Sequence, residues 1–203
     1  MTVLDQPRAR SAALRVRALL FHPKSEWEVI ASEPATVRGI YTGYVMILAA
    51  IPAIARLIGG LLFGSSLRLF GGINHTSITG LVVSAIIGYL LSLVGVYVVA
   101  LIIDGVAPYV GGMKDRTQAM KVAAFFQTAS WLAGVFALVP ALAPLQVLGL
   151  YSLFLLYLGL ARLMRVGEDK ALIYTVAVII SAVIVMLVIS LATHMLSGTG
   201  MSY

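Results

Sequence analysis

Residues Gly80 to Ile103 read GLVVSAIIGYLLSLVGVYVVALII, 24 positions without one charged side chain. A helix needs about 17–25 predominantly apolar residues to cross a bilayer, so this stretch is long enough to span. It lacks the strict alternation of a barrel strand, and helices and closed barrels are the structures that satisfy their backbone groups in hydrocarbon. Four further runs share its character, at 37–63, 122–139, 145–161 and 171–196. The expectation is all-α: a polytopic membrane protein with a five-transmembrane-helix bundle over 37–203, preceded by a cytoplasmic amphipathic region over 1–36.

Composition points the same way. The chain is 61% hydrophobic and 11% charged, against about 25% charged in soluble domains. The net charge of +6 is the basic excess expected of a membrane chain, and nucleic acid is not an expected partner. With no cysteine, disulfides, thiolate metal sites and cysteine nucleophiles are excluded. The first apolar run begins at Val37 and is too long for a signal-peptide core.

Lys and Arg alternate in abundance from one connecting segment to the next. Six (Arg8, Arg10, Arg15, Arg17, Lys24 and Arg38) lie before or at the very start of the first run, three (Lys114, Arg116, Lys121) follow the second, and three (Arg162, Arg165, Lys170) follow the fourth; the intervening segments hold only Arg68. Basic residues stay on the cytoplasmic side, so the N-terminus is expected inside and the C-terminus outside.

Ahead of the first run, Ala12, Ala13, Val16, Leu19 and Leu20 share one helical arc, flanked by Arg8, Arg10, Arg15 and Arg17. Such a helix suits the surface of an anionic bilayer. Ser25-Glu-Trp27-Glu28 reads as a capping box, with Ser25 as N-cap and Glu28 three residues on, and Pro34 ends that second helix. Trp27 is expected to anchor it at the interface. The alternative for this region is a docking surface for a soluble protein.

Small residues mark helix contacts within the spans. Gly80, Ser84, Gly88 and Ser92 lie four apart, and Gly39-xxx-Gly43, Gly60-xxx-Gly64 and Ser130-xxx-Gly134 repeat the pattern. Spacing of four puts them on one helical face, where small side chains admit a neighbouring helix. Packing inside one bundle is the expected use, with a homo-oligomer seam as the alternative. Among polar residues, Arg56 and His194 are expected near the outer boundary, each reaching water, with a shared outer-face site as the alternative.

The stretch Asp104-Gly-Val-Ala-Pro108-Tyr109-Val-Gly111-Gly112-Met-Lys114-Asp115-Arg116 breaks the second span. Glycine permits positive φ and close approach, and Pro108 interrupts a continuing helix. Asp104, Tyr109, Gln127 and Thr128 are a candidate polar cluster opening to the cytoplasm. It serves either to order the loop or as a solute, proton or cation site.

Asp104 closing a span, Gly111-Gly112, Trp131-Leu-Ala-Gly134-Val-Phe136, Leu156-Tyr-Leu-Gly159-Leu and Gly167-Glu-Asp-Lys170-Ala, with Pro23 and Trp27 ahead of the first span, together resemble the Yip family of five-span membrane proteins in its bacterial branch. The resemblance covers most of the chain. It departs where the family often carries a proline after the threonine of the third span and this chain has Thr128-Ala129. Eukaryotic Yip proteins are associated with Rab-type GTPases through a long cytosolic N-terminal region. Only about 36 residues stand there in this chain, so GTPase binding is not carried over.

No nucleophile elbow, HExxH, P-loop or paired-carboxylate cluster is present, and no enzyme, cofactor or metal is expected. Two readings follow. One is a non-enzymatic membrane scaffold or accessory protein presenting its cytoplasmic face to a partner. The other is a small permeation or transport unit built around Asp104. The absence of an internal repeat favours the first.

Overall fold

The computed structural model describes residues 11–63 and 77–198, and every element among them is helical. Two short helices, α1 (Ala12–Phe21) and α2 (Pro23–Ser32), lead into four helices long and apolar enough to cross a membrane. These are α3 (Val37–Phe63), α4 (Ile78–Val106, continued by a 3₁₀ turn to Val110), a third spanning Arg116–Leu138 and a fourth spanning Pro140–Leu163. The last helix, Glu168–Gly198, has 31 residues and covers the run at 171–196.

The third and fourth spans are segmented. The third consists of α5 (Arg116–Phe125), a two-residue turn, α6 (Thr128–Ala133) and a 3₁₀ stretch, Gly134–Leu138. The fourth opens with a 3₁₀ stretch, Pro140–Leu150, before α7 (Tyr151–Leu163); the final helix is α8. The turn at Phe126 and Gln127 forms with no proline nearby. The Thr128 hydroxyl donates to the Phe125 carbonyl at 2.5 Å, which lets a hydroxyl replace a backbone donor at the break. In α3, a π-helical stretch at Tyr41–Val45 turns Tyr44 inward, and its hydroxyl lies 2.7 Å from Thr128 Oγ1.

The N-terminal helices depart from expectation in three ways. First, α2 starts at Pro23, and Ser25 sits within its first turn, donating to the His22 carbonyl at 3.0 Å. Proline presets the helical φ and needs no N–H at that position, so the helix begins ahead of the capping box. Second, Trp27 is no interfacial anchor: it is 1% exposed, its ring packed on Gly159 of α7. A Cβ on Gly159 would come within 2.8 Å of that ring, so only glycine admits it. Third, Arg15 is buried rather than spread on a bilayer surface, whereas Arg17 is exposed; Arg8 and Arg10 lie outside the described residues.

Consequently α1 and α2 form a cap on one end of the bundle. Leu19, Trp27 and Ile30 join Met120, Val122, Leu155 and Leu160 in a continuous core at that end. The opposite half is thinner. Along α4, Val83, Ile86, Ile87, Leu90 and Leu91 are exposed, an apolar flank suited to lipid.

Candidate functional site

Among the described residues no hydrogen bond joins the four members of the candidate polar cluster. Tyr109 projects from the protein, 89% exposed. Gln127 donates to the Ala123 carbonyl of its own span, and Thr128 is engaged by Tyr44 and Phe125. Asp104 lies near the end of α4, with Oδ1 buried and lacking a hydrogen-bond partner among the described residues. Beside it, the Tyr174 hydroxyl donates to the Ile103 carbonyl at 2.5 Å, joining α4 to α8.

Gly111 and Gly112 serve the backbone. Gly111 adopts φ +78°, a left-handed conformation that closes the 3₁₀ turn. Gly112 passes so close to the loop after α7 that a Cβ would meet Val166 at 2.9 Å, and the next residue, Met113, donates its N–H to the Met164 carbonyl. The pair thus locks two loops at the capped end. Asp115 then caps α5, its carboxylate accepting from the N–H groups of Thr117 and Gln118 at 2.9 and 3.0 Å.

A different polar group lies beneath the cap. Arg15 of α1 reaches Glu26 of α2 at 3.1 Å and also pairs with Glu33, while its guanidinium sits 5.1 Å from the Phe125 ring centroid. Lys121, 3% exposed, donates to the carbonyls of Ile30 at 2.8 Å and Glu33 at 2.7 Å. An ammonium against the last carbonyls of a helix satisfies orphan acceptors and the negative end of the dipole. Burying charge is expensive unless it is paired and hydrogen-bonded, and here each cation has two oxygen partners. On the rim, exposed Arg162 pairs with Glu28. The arrangement can fix a surface; it holds no nucleophile with an adjacent base.

Sequence reasoning assigned Lys121 to a basic loop and Arg15 to the bilayer surface. The signal for Lys121 was its setting within an apolar run, Met120 to Phe126, where an unpaired ammonium would be costly.

The small-residue stripe of α4 does not meet a helix. A Cβ on Gly88 would touch nothing within 4 Å, and the same holds for Gly43 of α3. Gly80 lies in the first turn of α4, its N–H held by the Ser77 side chain at 3.1 Å. Ser84, Gly88 and Ser92 instead line a cleft of about 600 Å³, walled on its other sides by α3 and by the third and fourth spans. Close approach occurs elsewhere. On Gly134 a Cβ would meet Pro52 at 2.5 Å, and on Gly60 it would meet Leu81 at 2.9 Å. The Ser130-xxx-Gly134 and Gly60 positions therefore do pack against neighbouring helices. Arg56 also lines the cleft, while the side chain of His194 lies outside those described, so a shared site with it is not addressed.

Among the described residues no group of three or more His, Cys, Asp and Glu could hold a metal. No solved structure matches the chain significantly. Two curated relatives do, both named inner membrane protein YohC, from Escherichia coli strain K12 and from E. coli O6:H1 strain CFT073. Each is 29% identical over 189 residues, an alignment covering 91% of this chain and 96% of the relative. Residues 17–190, from α1 well into α8, match the Yip1 domain. With membrane-crossing helices in place and that match extending over most of its length, the chain is an integral membrane protein belonging to the Yip1 domain family.

Proposed function

We propose that this protein is a non-enzymatic scaffold or accessory subunit of a bacterial inner membrane, presenting its capped face to a protein partner in the cytoplasm. In this reading α8 is the fifth span, the N-terminus is cytoplasmic and the C-terminus outside. The observation that carries it is the buried ionic joint of Arg15, Glu26, Glu33 and Lys121, which makes two short helices a fixed part of the bundle end. A preorganised surface binds without first losing conformational entropy. Around it, Tyr109 is 89%, Phe21 71% and Met113 56% exposed, side chains of the kind that anchor interfaces. The names of the E. coli relatives support the location. The lack of a hydrogen bond joining Asp104, Tyr109, Gln127 and Thr128 among the described residues favours this reading over permeation.

The test pairs two variants at native expression in mild detergent. Tyr109→Ala is expected to lower recovery of a co-purifying protein without changing the melting temperature. Asp104→Asn, which keeps shape while removing the ionised form, is expected to leave recovery intact. Cation-linked flux into proteoliposomes that is present in the native protein and absent in Asp104→Asn would overturn the proposal.

A further inference from the structure

The cleft beside α4 is not used by the cap. It lies between helices that do not close on one another. Near the Phe63 end α4 leans on α3, with Leu81 against Gly60, and farther along Tyr89 donates to the Met46 carbonyl at 3.1 Å. Toward the cap α4 packs on α5. Between these two contacts it stands away from the third and fourth spans, and the gap is the cleft of about 600 Å³. That volume is within the ~300–1,000 Å³ of small-molecule sites.

The walls are mostly apolar and the charge on them is single. Among the described residues, Arg56 is the one charged side chain in the lining, and none of the lining residues is acidic. It makes no hydrogen bond or ion pair to any described residue. It sits two helical turns before Phe63, ~11 Å along the axis at 5.4 Å per turn, in the half of α3 remote from the cap. A cation at that depth is costly unless it meets a counter-charge or water, and an intramembrane ionisable residue marks a binding site with a partner to be found. Gln146 on the fourth span lines the same space and can donate an amide N–H. The serines opposite are already engaged, since Ser130 Oγ lies 2.9 Å from Ser152 Oγ and donates to the Gly149 carbonyl. That wall therefore offers little to a polar solute.

We infer that this cleft holds one anionic phospholipid of the leaflet remote from the cap, its phosphate on Arg56 and an acyl chain along the small-residue face of α4. The charge selects an anion and the apolar wall selects a tail. Gly88, Ser84 and Ser92 leave the room that larger side chains would fill. Arginine presents a planar fork that matches phosphate oxygens.

The experiment uses the full chain in a neutral detergent, with phosphatidylglycerol, phosphatidylcholine or sodium phosphate added separately. Retained lipid is read by native mass spectrometry and thermal stability by melting temperature. Phosphatidylglycerol is expected to remain bound at one molecule per chain and to raise the melting temperature. Phosphatidylcholine should be retained less, and phosphate alone should do neither. Arg56→Gln should lower retention about tenfold, the effect of one charge-assisted contact. Gly88→Leu, which fills open space, should lower it comparably with the fold intact. Arg17→Gln, an exposed arginine at the other end, should leave retention unchanged. Should Arg56→Gln fail to fold, Gly88→Leu and Ser84→Leu decide the question. Native-like retention in the variants that fold would overturn the inference. So would equal loss in Arg17→Gln, equal retention of phosphatidylcholine, or stabilisation by phosphate alone. A dimer that Gly88→Leu converts to monomer would place a second copy of the chain in the cleft instead, and would also overturn it.

Discussion

Arg15 shows how far one side chain can be from its apparent role. On a helical wheel it flanks an apolar arc, but its side chain is 5% exposed and bridges two carboxylates. Removing one member of a buried pair leaves charge without its counter-charge, which typically costs about 3–5 kcal/mol, whereas replacing both with apolar residues is often neutral. Arg15→Ala should therefore lower the melting temperature in detergent sharply, with Arg15→Leu/Glu26→Leu/Glu33→Gln less affected and Arg17→Ala close to native. Equal melting of Arg15→Ala and Arg17→Ala would remove the ionic joint from the account. The pairing was not legible because Arg15 and Glu26 belong to different helices, and only the docking of α1 on α2 brings them together. Trp27 and Gly159 share that difficulty, 132 positions apart, although each stands in a motif that carried the family resemblance.

At the scale of the elements, the apolar runs located the helices well. The run at 37–63 coincides with α3, and that at 80–103 falls inside α4. Hydropathy reads burial in lipid or protein without distinguishing them, so it reported nothing about the 3₁₀ stretches at Gly134–Leu138 and Pro140–Leu150. Small-residue spacing was legible in part. It marks where a helix can approach, and Gly134 against Pro52 uses the opportunity while Gly88 leaves it open. The contrast is testable. Gly134→Ala would press a Cβ against Pro52 and should destabilise by about 1–3 kcal/mol. Gly88→Ala meets no neighbour and should stabilise by about 0.5–1 kcal/mol through helix propensity alone. Melting temperatures of the two variants in one detergent check the signs, and a loss in both would put a helix against the α4 stripe.

For the whole molecule, the distribution of basic residues predicts a topology that the native chain is well suited to report, since it has no cysteine. Lys114→Cys lies in the exposed loop before α5, and Ala141→Cys at the exposed start of the fourth span. A membrane-impermeant thiol reagent should label them from opposite sides of sealed vesicles, Ala141→Cys from the outside. Labelling of both from one side would end the proposed orientation.

The cap also has a history within each molecule's own synthesis. Glu28 and Arg162 pair across 134 residues of chain, and Trp27 finds its seat only on Gly159 of α7. At ~5–20 residues per second a ribosome needs on the order of ten seconds to travel that distance. Throughout that interval α1 and α2 are already made, with their apolar face and their charges still in water or on the membrane surface. These two helices are made before the spans they dock on and are thus among the last to reach their place. Their docking therefore reports that the later spans have been made and packed.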